Sequence, residues 1–161
     1  MLDARPAIPD GRDGAISMTQ TERQGRCLCG AVSFHLELDN HQVGACHCDM
    51  CRRWGGAPSM MVECATPPRF ADDSHVRVYA SSDWAERGFC DQCGSHLFYR
   101  LKDGGFYAVP VGLLEGADQP WTLAMEVFID EKPAFYAFAN DTRKLTGAEL
   151  FAQHNDGGQD G

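Results

Sequence analysis

Short segments in which apolar and polar residues alternate run through the middle of the chain. In residues 31–38 every second position is apolar, which predicts a half-buried β-strand. The apolar positions of this segment are Val32, Phe34, Leu36 and Leu38. Further strands are predicted at residues 42–45, 59–64, 76–79, 85–89, 95–99, 106–111 and 123–129. Residues 134–138 form a short apolar segment, which is either a strand or irregular structure.

Turn-forming residues separate these segments. The Lys-Asp-Gly-Gly run at residues 102–105 predicts a hairpin turn, and Pro67 and Pro68 end the strand before them. A loop that passes into a short helical turn is predicted at residues 47–53. Many short strands with almost no helical period predict a mainly β fold.

The two ends of the chain lack a periodic apolar face. Residues 1–24 are expected to form a flexible extension, within which Met18 is an alternative start, and residues 153–161 a disordered tail. Residues 25–152 are expected to form a single domain, because a chain of 161 residues suits one core.

Charge and hydropathy exclude several functions. A net charge of -9 and a pI near 5.0 argue against nucleic-acid or anionic-membrane partners. No apolar run reaches the roughly 18 residues that a membrane span needs, and the N-terminus carries no hydrophobic signal core. A cytoplasmic location follows, where cysteines bind metal or do redox chemistry more often than they form structural disulfides.

Seven of the eight cysteines fall in three short motifs. These motifs are Cys27-x-Cys29, Cys46-x-Cys48-x-x-Cys51 and Cys90-x-x-Cys93. Seven ligands do not divide into closed sites of four, so the natural partition is one site of four and one of three. No Walker loop, dinucleotide fingerprint, nucleophile elbow or His-Glu-x-x-His motif competes with this signal.

The first and third motifs together predict a structural zinc site. A Cys-x-x-Cys-Gly turn such as Cys90 to Gly94 points both sulfurs inward, and a second cysteine pair from a distant turn completes a tetrahedron. Cys27 and Cys29 supply that pair, so the metal would staple the two turns. An iron–sulfur cluster on the same thiolates, or two unrelated reduced pairs, are the alternatives.

The middle motif predicts an open metal site. Cys46, Cys48 and Cys51 supply three thiolates, whereas zinc prefers four ligands, so water or a substrate thiol would take the fourth position. Arg52 and Arg53 adjoin the motif and would balance its charge or bind carboxylates of an incoming ligand. The alternative is a second structural site.

Sequence alone also suggests roles for other residues near these motifs. His47 or Cys64 would be the fourth ligand of a closed second site, although Cys64 suits a small core residue better. Trp54 suits a pocket wall or a core position, and His96 a hydrogen-bonded structural role.

The three cysteine motifs and their flanking residues resemble one known family. The matching runs are Gly25-x-Cys27-x-Cys29-Gly30-x-Val32, Cys46-His47-Cys48-x-x-Cys51-Arg52-Arg53-x-x-Gly56 and Phe89-Cys90-x-x-Cys93-Gly94-Ser95-x-Leu97. This pattern is similar to that of the glutathione-dependent formaldehyde-activating enzymes, a family that includes centromere protein V. The resemblance spans residues 25–138 and implies a β-tent fold of packed antiparallel sheets.

The resemblance also implies two zinc ions and an activity. Cys27, Cys29, Cys90 and Cys93 would hold a structural zinc, and Cys46, Cys48 and Cys51 a catalytic one. The activity would be the joining of glutathione, as co-substrate, to formaldehyde, which is a carbon–sulfur lyase reaction in reverse. The partner would then be a small-molecule thiol or thiol adduct. A non-enzymatic zinc-stabilised interaction module and a thiol redox or metal-handling protein are the rival functions.

Two positions depart from the family pattern. Members often carry His where this chain has Glu126, and Trp where it has Phe135. If both positions line the site, the substrate differs from the adduct of formaldehyde and glutathione.

Overall fold

The computed structural model describes residues 20–116 and 120–157. In chain order its strands are β1 (Thr21–Arg26), β2 (Ser33–Leu38), β3 (Gln42–Cys46), β4 (Ser59–Glu63), β5 (Arg69–Phe70), β6 (Val76–Ala80), β7 (Ala85–Cys90), β8 (His96–Leu101), β9 (Tyr107–Pro110), β10 (Thr122–Val127) and β11 (Arg143–Leu145). Helix α1 (Asp49–Gly55) follows β3, and helix α2 (Gly147–Gly157) follows β11. The predicted mainly β fold is confirmed.

Two sheets enclose the core. A three-stranded sheet has the order β1-β2-β5, and an eight-stranded sheet has the order β11-β10-β3-β4-β9-β8-β7-β6. Phe70 of the small sheet contacts both Phe34 beside it and Phe98 of the large sheet, with ring centroids 5.7 and 6.0 Å apart. The inner faces of the two sheets therefore meet through aromatic rings.

The apolar face predicted for residues 31–38 forms the centre of this core. Val32, Phe34, Leu36 and Leu38 are all buried, and they belong to the same cluster as residues of β4, β8 and β9. Burying side chains of this size contributes about 1.5–3 kcal/mol each. Alternation along β2 was therefore a sound guide to its buried side.

The large sheet is mixed, whereas the family resemblance implied packed antiparallel sheets. Strand β10 runs parallel to both β3 and β11, and the remaining pairs are antiparallel. Alternation shows which side of a strand is buried, but it carries no information about the neighbour or its direction. Only the long connection between β3 and β10 makes the parallel pairing possible.

Regular secondary structure extends beyond both predicted boundaries of the domain. Strand β1 begins at Thr21, before the predicted start at residue 25, and pairs along its length with β2. Only Gly25 of this strand is buried, and its side chains are polar. The sequence of β1 therefore shows no apolar alternation from which the strand could be predicted. Helix α2 runs to Gly157, past the predicted tail start at residue 153, and Phe151 packs edge-on against Phe128. Residues 1–19 and 158–161 of the predicted extension and tail lie outside the described residues.

Within the described ranges, neither α1 nor α2 has the length and apolar character to cross a membrane.

Two strand glycines provide a matched test of the core. A Cβ at Gly88 would lie 2.3 Å from the Phe98 ring, whereas one at Gly44 would meet nothing within 4 Å. We expect Gly88→Ala to lower the free energy of unfolding by about 2 kcal/mol, because a well-packed ring must move. Gly44→Ala should leave it unchanged or slightly raised. Denaturant unfolding of the two variants measures the difference, and equal effects would contradict the packing described.

Candidate metal and active site

Four cysteines converge from two distant turns, as the sequence predicted. The Sγ atoms of Cys27, Cys29, Cys90 and Cys93 all lie within 4.8 Å of one another. Cys27 and Cys29 lie in the turn between β1 and β2, whereas Cys90 ends β7 and Cys93 lies in the turn that follows it. The cluster therefore connects the small sheet to the large one.

The sulfur spacing fits a tetrahedral metal site. Zinc–sulfur bonds of about 2.3 Å in a tetrahedron place the sulfurs about 3.8 Å apart. The Cys27–Cys29 and Cys29–Cys90 Sγ distances are 3.6 and 3.9 Å. The donor set and its dimensions suit zinc.

Backbone geometry and Ser95 prepare this site. Gly94 has a φ of 78°, a left-handed conformation that suits glycine, and its N–H donates to the Cys90 carbonyl at 2.8 Å. The Ser95 hydroxyl lies 3.2 Å from Cys93 Sγ and accepts from the Leu28 N–H at 3.0 Å. Hydrogen bonds from the Ser95 side chain and backbone lower the pKa of Cys93 to about 5, which favours the thiolate that a metal needs.

The middle motif forms a second cluster. The sulfurs of Cys46, Cys48 and Cys51 lie within 4.8 Å of one another. Cys46 ends β3, Cys48 is the N-cap of α1, and Cys51 is buried in the first turn of that helix. The Cys48 sulfur also accepts from the Cys51 N–H at 3.4 Å, so the capping contact fixes the relative position of two of the three sulfurs.

Electrostatics favours one thiolate in this cluster. Hydrogen bonds from Cys46 and Cys48 lower the pKa of the Cys51 thiol. Burial opposes this effect, whereas Ser59 and then the positive charge of Arg87 add to it. Cys51 is therefore the sulfur that most readily carries negative charge.

His47 lies between two of these cysteines but points into a different network. Its Nε2 lies 2.8 Å from Glu126 Oε1, and its Nδ1 lies 2.7 Å from the Tyr136 hydroxyl. The carboxylate can only accept, so Nε2 carries a hydrogen and donates it. His47 and Glu126 are 0% and 1% exposed. Both ring nitrogens are engaged, so His47 is not placed to bind a metal.

Glu126 is held by further contacts on its other oxygen. The Thr142 hydroxyl donates to Oε2, and Lys144 Nζ lies 3.6 Å from the same atom. Burial acts to raise the pKa of Glu126, but hydrogen bonds from Thr142 and His47, with the charge on Lys144, outweigh it and hold the pKa below its usual range. Glu126 therefore stays ionised in a buried position because its oxygens are satisfied.

Cys64 is also separate from the three-cysteine cluster. It is buried in the hydrophobic core between the sheets, as expected for a small core residue. In the described part of the chain, no further His, Cys, Asp or Glu joins Cys46, Cys48 and Cys51. A tetrahedral metal held by these three cysteines would therefore need a fourth ligand from outside the described residues.

Arg52 and Arg53 are placed differently from each other. Arg52 Nε donates to the His47 carbonyl at 2.9 Å, so its guanidinium lies over the cysteine loop. Arg53 is 79% exposed on its side chain and pairs with Asp49 through a 2.9 Å contact. Arg52 is thus part of the wall of the site, whereas Arg53 lies on its outer rim.

A buried cation that the sequence did not single out completes the cluster. Arg87 on β7 is 2% exposed, and one of its terminal nitrogens donates to Cys51 Sγ at 3.6 Å. Its guanidinium also lies 5.0 Å from the centroid of the Tyr99 ring. The available signal was a charged residue in phase with Ala85 and Phe89, on the same face of a predicted strand.

Tyr136 and Thr142 were also missed. Tyr136 lies in an irregular segment after β10, and Thr142 lies just before β11, where no periodic pattern marked either residue. Phe135, next to Tyr136, is 86% exposed and packs edge-on against the tyrosine ring. Nothing in the local sequence indicates that these residues approach the cysteine loop.

The chain is similar to known proteins. Residues 22–131 match the family model described as glutathione-dependent formaldehyde-activating enzyme. A Schizosaccharomyces pombe protein named as an uncharacterized lyase is 35% identical over 130 residues, covering 80% of this chain and 94% of the relative. A crystal structure of a Rhodobacter sphaeroides protein is 29% identical, with a TM-score of 0.49, and covers 62% of this chain and 99% of its own.

The two cysteine clusters should respond differently to substitution. We expect Cys48→Ser to keep the fold, because serine is a good helix N-cap, and to lower the zinc content by about one ion. Cys90→Ser should unfold or aggregate the protein, because that cluster joins the two sheets. Metal analysis and thermal unfolding measure both effects. Equal damage to folding by the two variants would show that the three-cysteine loop is structural.

The buried carboxylate gives a pH-dependent prediction. Since the pKa of Glu126 is lowered on folding, its contribution to stability is present above the unfolded value of about 4.3 and is lost as pH falls through the folded value. We expect Glu126→Gln to lower the free energy of unfolding by about 2 kcal/mol at pH 7. The deficit should shrink below about pH 4.3. Denaturant unfolding across this range measures it, and a constant deficit would contradict the assignment.

Proposed function

The chain belongs to the glutathione-dependent formaldehyde-activating enzyme family, and on that premise we propose that it catalyses the reversible joining of a thiol to an aldehyde. Glutathione is the proposed thiol. The four-cysteine cluster is the proposed structural zinc site, and the three-cysteine cluster is the proposed catalytic one. In the breakdown direction this reaction is a carbon–sulfur lyase reaction.

The observation that carries the proposal is the incomplete ligand set of the three-cysteine cluster. Both candidates for a fourth protein ligand are occupied elsewhere, His47 by Glu126 and Tyr136, and Cys64 by the core. A structural zinc site is closed by four protein ligands, whereas a catalytic site keeps one position for water or substrate. The arrangement among the described residues favours the second kind.

The proposed reaction balances without an oxidant or reductant. The sulfur of the thiol attacks the carbonyl carbon of the aldehyde, so a carbon–sulfur bond forms and the carbonyl π pair moves onto oxygen. The proton released from the thiol is taken up by that oxygen, which gives a hydroxyalkyl thioether. Breakdown reverses each of these changes.

The residues around the cluster suit a reacting thiolate. Zinc bound by three thiolates would supply a cation that lowers the pKa of a substrate thiol or polarises the aldehyde oxygen. Three thiolates on a divalent ion leave one negative charge, and the buried Arg87 guanidinium, 3.6 Å from Cys51 Sγ, offsets it. Arg87 therefore reduces the repulsion that a second negative sulfur would meet.

Arg52 and Arg53 are the proposed binding groups for the carboxylates of glutathione. Arg52 borders the loop through its bond to the His47 carbonyl, and Arg53 extends from the rim into solvent. A guanidinium binds a carboxylate through two parallel hydrogen bonds, which fixes orientation as well as charge. The two arginines would thus hold the peptide while its sulfur enters the cluster.

Exchange NMR on the zinc-loaded protein tests this function. Glutathione and an aldehyde equilibrate with their adduct without an enzyme, so the measured quantity is the increase in exchange rate per protein molecule. We expect wild-type protein to accelerate exchange and Cys48→Ser to lose at least about tenfold of that acceleration, because the open site loses a ligand. Cys64→Ala is the matched control and should retain the activity of wild-type protein.

A null result would be informative if the aldehydes tested include both formaldehyde and benzaldehyde. Absence of acceleration with every pair, in protein that carries two zinc ions, would contradict the proposed enzyme. That outcome would favour a zinc-stabilised interaction module instead.

A further inference from the structure

An open cleft lined by aromatic residues lies beside helix α1. Its volume is about 370 Å³, and its lining residues are Trp54, Tyr79, Phe89, Gly94 and His96. The Trp54 ring lies parallel to Tyr79, with 7° between the planes, and meets Phe89 edge-on. His96 lies 4.8 Å from Trp54 by ring centroids. The cleft thus presents ring faces and edges from one helix and three strands.

The register of the large sheet places this cleft next to Arg87. Tyr79 on β6 pairs with Arg87 on β7, which pairs with Tyr99 on β8. Directly paired residues on neighbouring antiparallel strands point to the same face, so Tyr79 and Arg87 are neighbours on one face. Arg87 in turn contacts Cys51. The guanidinium therefore lies between the aromatic cleft and the three-cysteine cluster.

Helix α1 connects the same two features from the other side. Cys51 and Trp54 are three residues apart on this helix, so they occupy adjacent positions on one helical face. Their Cβ atoms are then about 5–6 Å apart. The helix therefore places the cleft beside the three-cysteine cluster.

The chemistry of the lining selects the kind of group that would bind. No lining residue is an Arg, Lys, Asp or Glu, so a glutathione carboxylate or amine would lose water there without gaining a charged partner. Burial, and then the nearby charge of Arg87, lower the pKa of His96, so its ring is uncharged near neutral pH. The buried Arg87 beside the cleft also disfavours a cationic ligand. An uncharged aromatic ring suits these surroundings best.

The size of the cleft agrees with this chemistry. A cavity of about 150 Å³ is large enough to bind benzene. The present cleft, at about 370 Å³, has room for a substituted six-membered ring. Formaldehyde carries no carbon substituent and would leave this surface in contact with water.

We propose that the aldehyde half of the substrate carries an aryl group, which binds in the cleft formed by Trp54, Tyr79, Phe89 and His96. This inference rests on the proposed function, because it assigns the two halves of the thiol–aldehyde adduct to two different surfaces of the protein. The carboxylates of glutathione lie toward Arg52 and Arg53, the reacting carbon lies at the cysteine cluster, and the ring lies against Trp54 and Tyr79.

The first experiment measures binding without turnover. S-benzylglutathione and S-methylglutathione are stable thioethers that match the adducts of benzaldehyde and formaldehyde except for the hydroxyl group. We expect calorimetry on the zinc-loaded protein to give S-benzylglutathione about tenfold tighter binding, since burying a ring is worth at least about 1.4 kcal/mol.

Substitutions in the cleft test whether the preference for the benzyl thioether arises there. Tyr79 is 57% exposed on an edge strand, so Tyr79→Ala is expected to fold, and it should reduce the benzyl-to-methyl preference to about threefold or less. Val78→Ala is the matched control, because Val78 lies on the same strand with its side chain on the opposite face. The control should keep the preference of wild-type protein. Trp54→Leu provides a second variant in the cleft.

The second experiment measures turnover as a ratio. In exchange NMR, kcat/KM for the benzaldehyde adduct should exceed that for the formaldehyde adduct in wild-type protein, and Tyr79→Ala should lower this ratio about fivefold or more. Val78→Ala should keep the ratio. A ratio that does not change in Tyr79→Ala would overturn the aryl site while leaving the proposed function intact.

The outcomes separate the two proposals. In one outcome, wild-type protein prefers the benzyl thioether, Tyr79→Ala loses this preference, and no adduct is turned over. That outcome would support the aryl site and contradict the proposed enzyme. Equal binding of the benzyl and methyl thioethers would overturn the aryl site whatever the turnover.

Discussion

The hydrogen bond between His47 and Glu126 is the contact on which the geometry of the three-cysteine loop depends. His47 lies between Cys46 and Cys48, so fixing its ring fixes the backbone that carries two of the three sulfurs. The partner comes from β10, which is parallel to β3 and in register with it at Glu126 and Ala45. A buried charge without its partner is costly, so this pair holds the loop against the sheet.

The same contact keeps His47 from serving as a fourth ligand of the three-cysteine cluster. A histidine among three cysteines is a natural fourth zinc ligand, but Glu126 and Tyr136 occupy both of its nitrogens. Glu126 is also one of the two positions at which the resemblance implied a departure from the family pattern. The departure from the family pattern therefore has a structural role in this chain, in which the carboxylate holds the ring of His47 away from the cluster.

The two cysteine clusters are thus built in different ways. The four-cysteine cluster is built from two turns and joins the sheets, whereas the three-cysteine cluster is built on one loop and one short helix. Arg87 contacts Cys51 of the second cluster and is paired with Tyr79 of the aromatic cleft. Charge and apolar surface therefore lie close together beside the three-cysteine cluster, an arrangement that suits a ligand with both polar and apolar parts.

The sequence by itself determined the partition of the cysteines, most strands and the buried side of β2. These features depend on spacing within a turn or alternation along a strand, which are local properties. It did not determine the parallel pairing of β10, because alternation along a strand carries no information about its neighbour. It also did not predict β1, whose side chains are polar, or helix α2. Only the tertiary structure placed Arg87 against Cys51 and Glu126 against His47, since these contacts join residues 36 and 79 positions apart. Contacts of that separation are set by the packing of the sheets, and no local pattern encodes them.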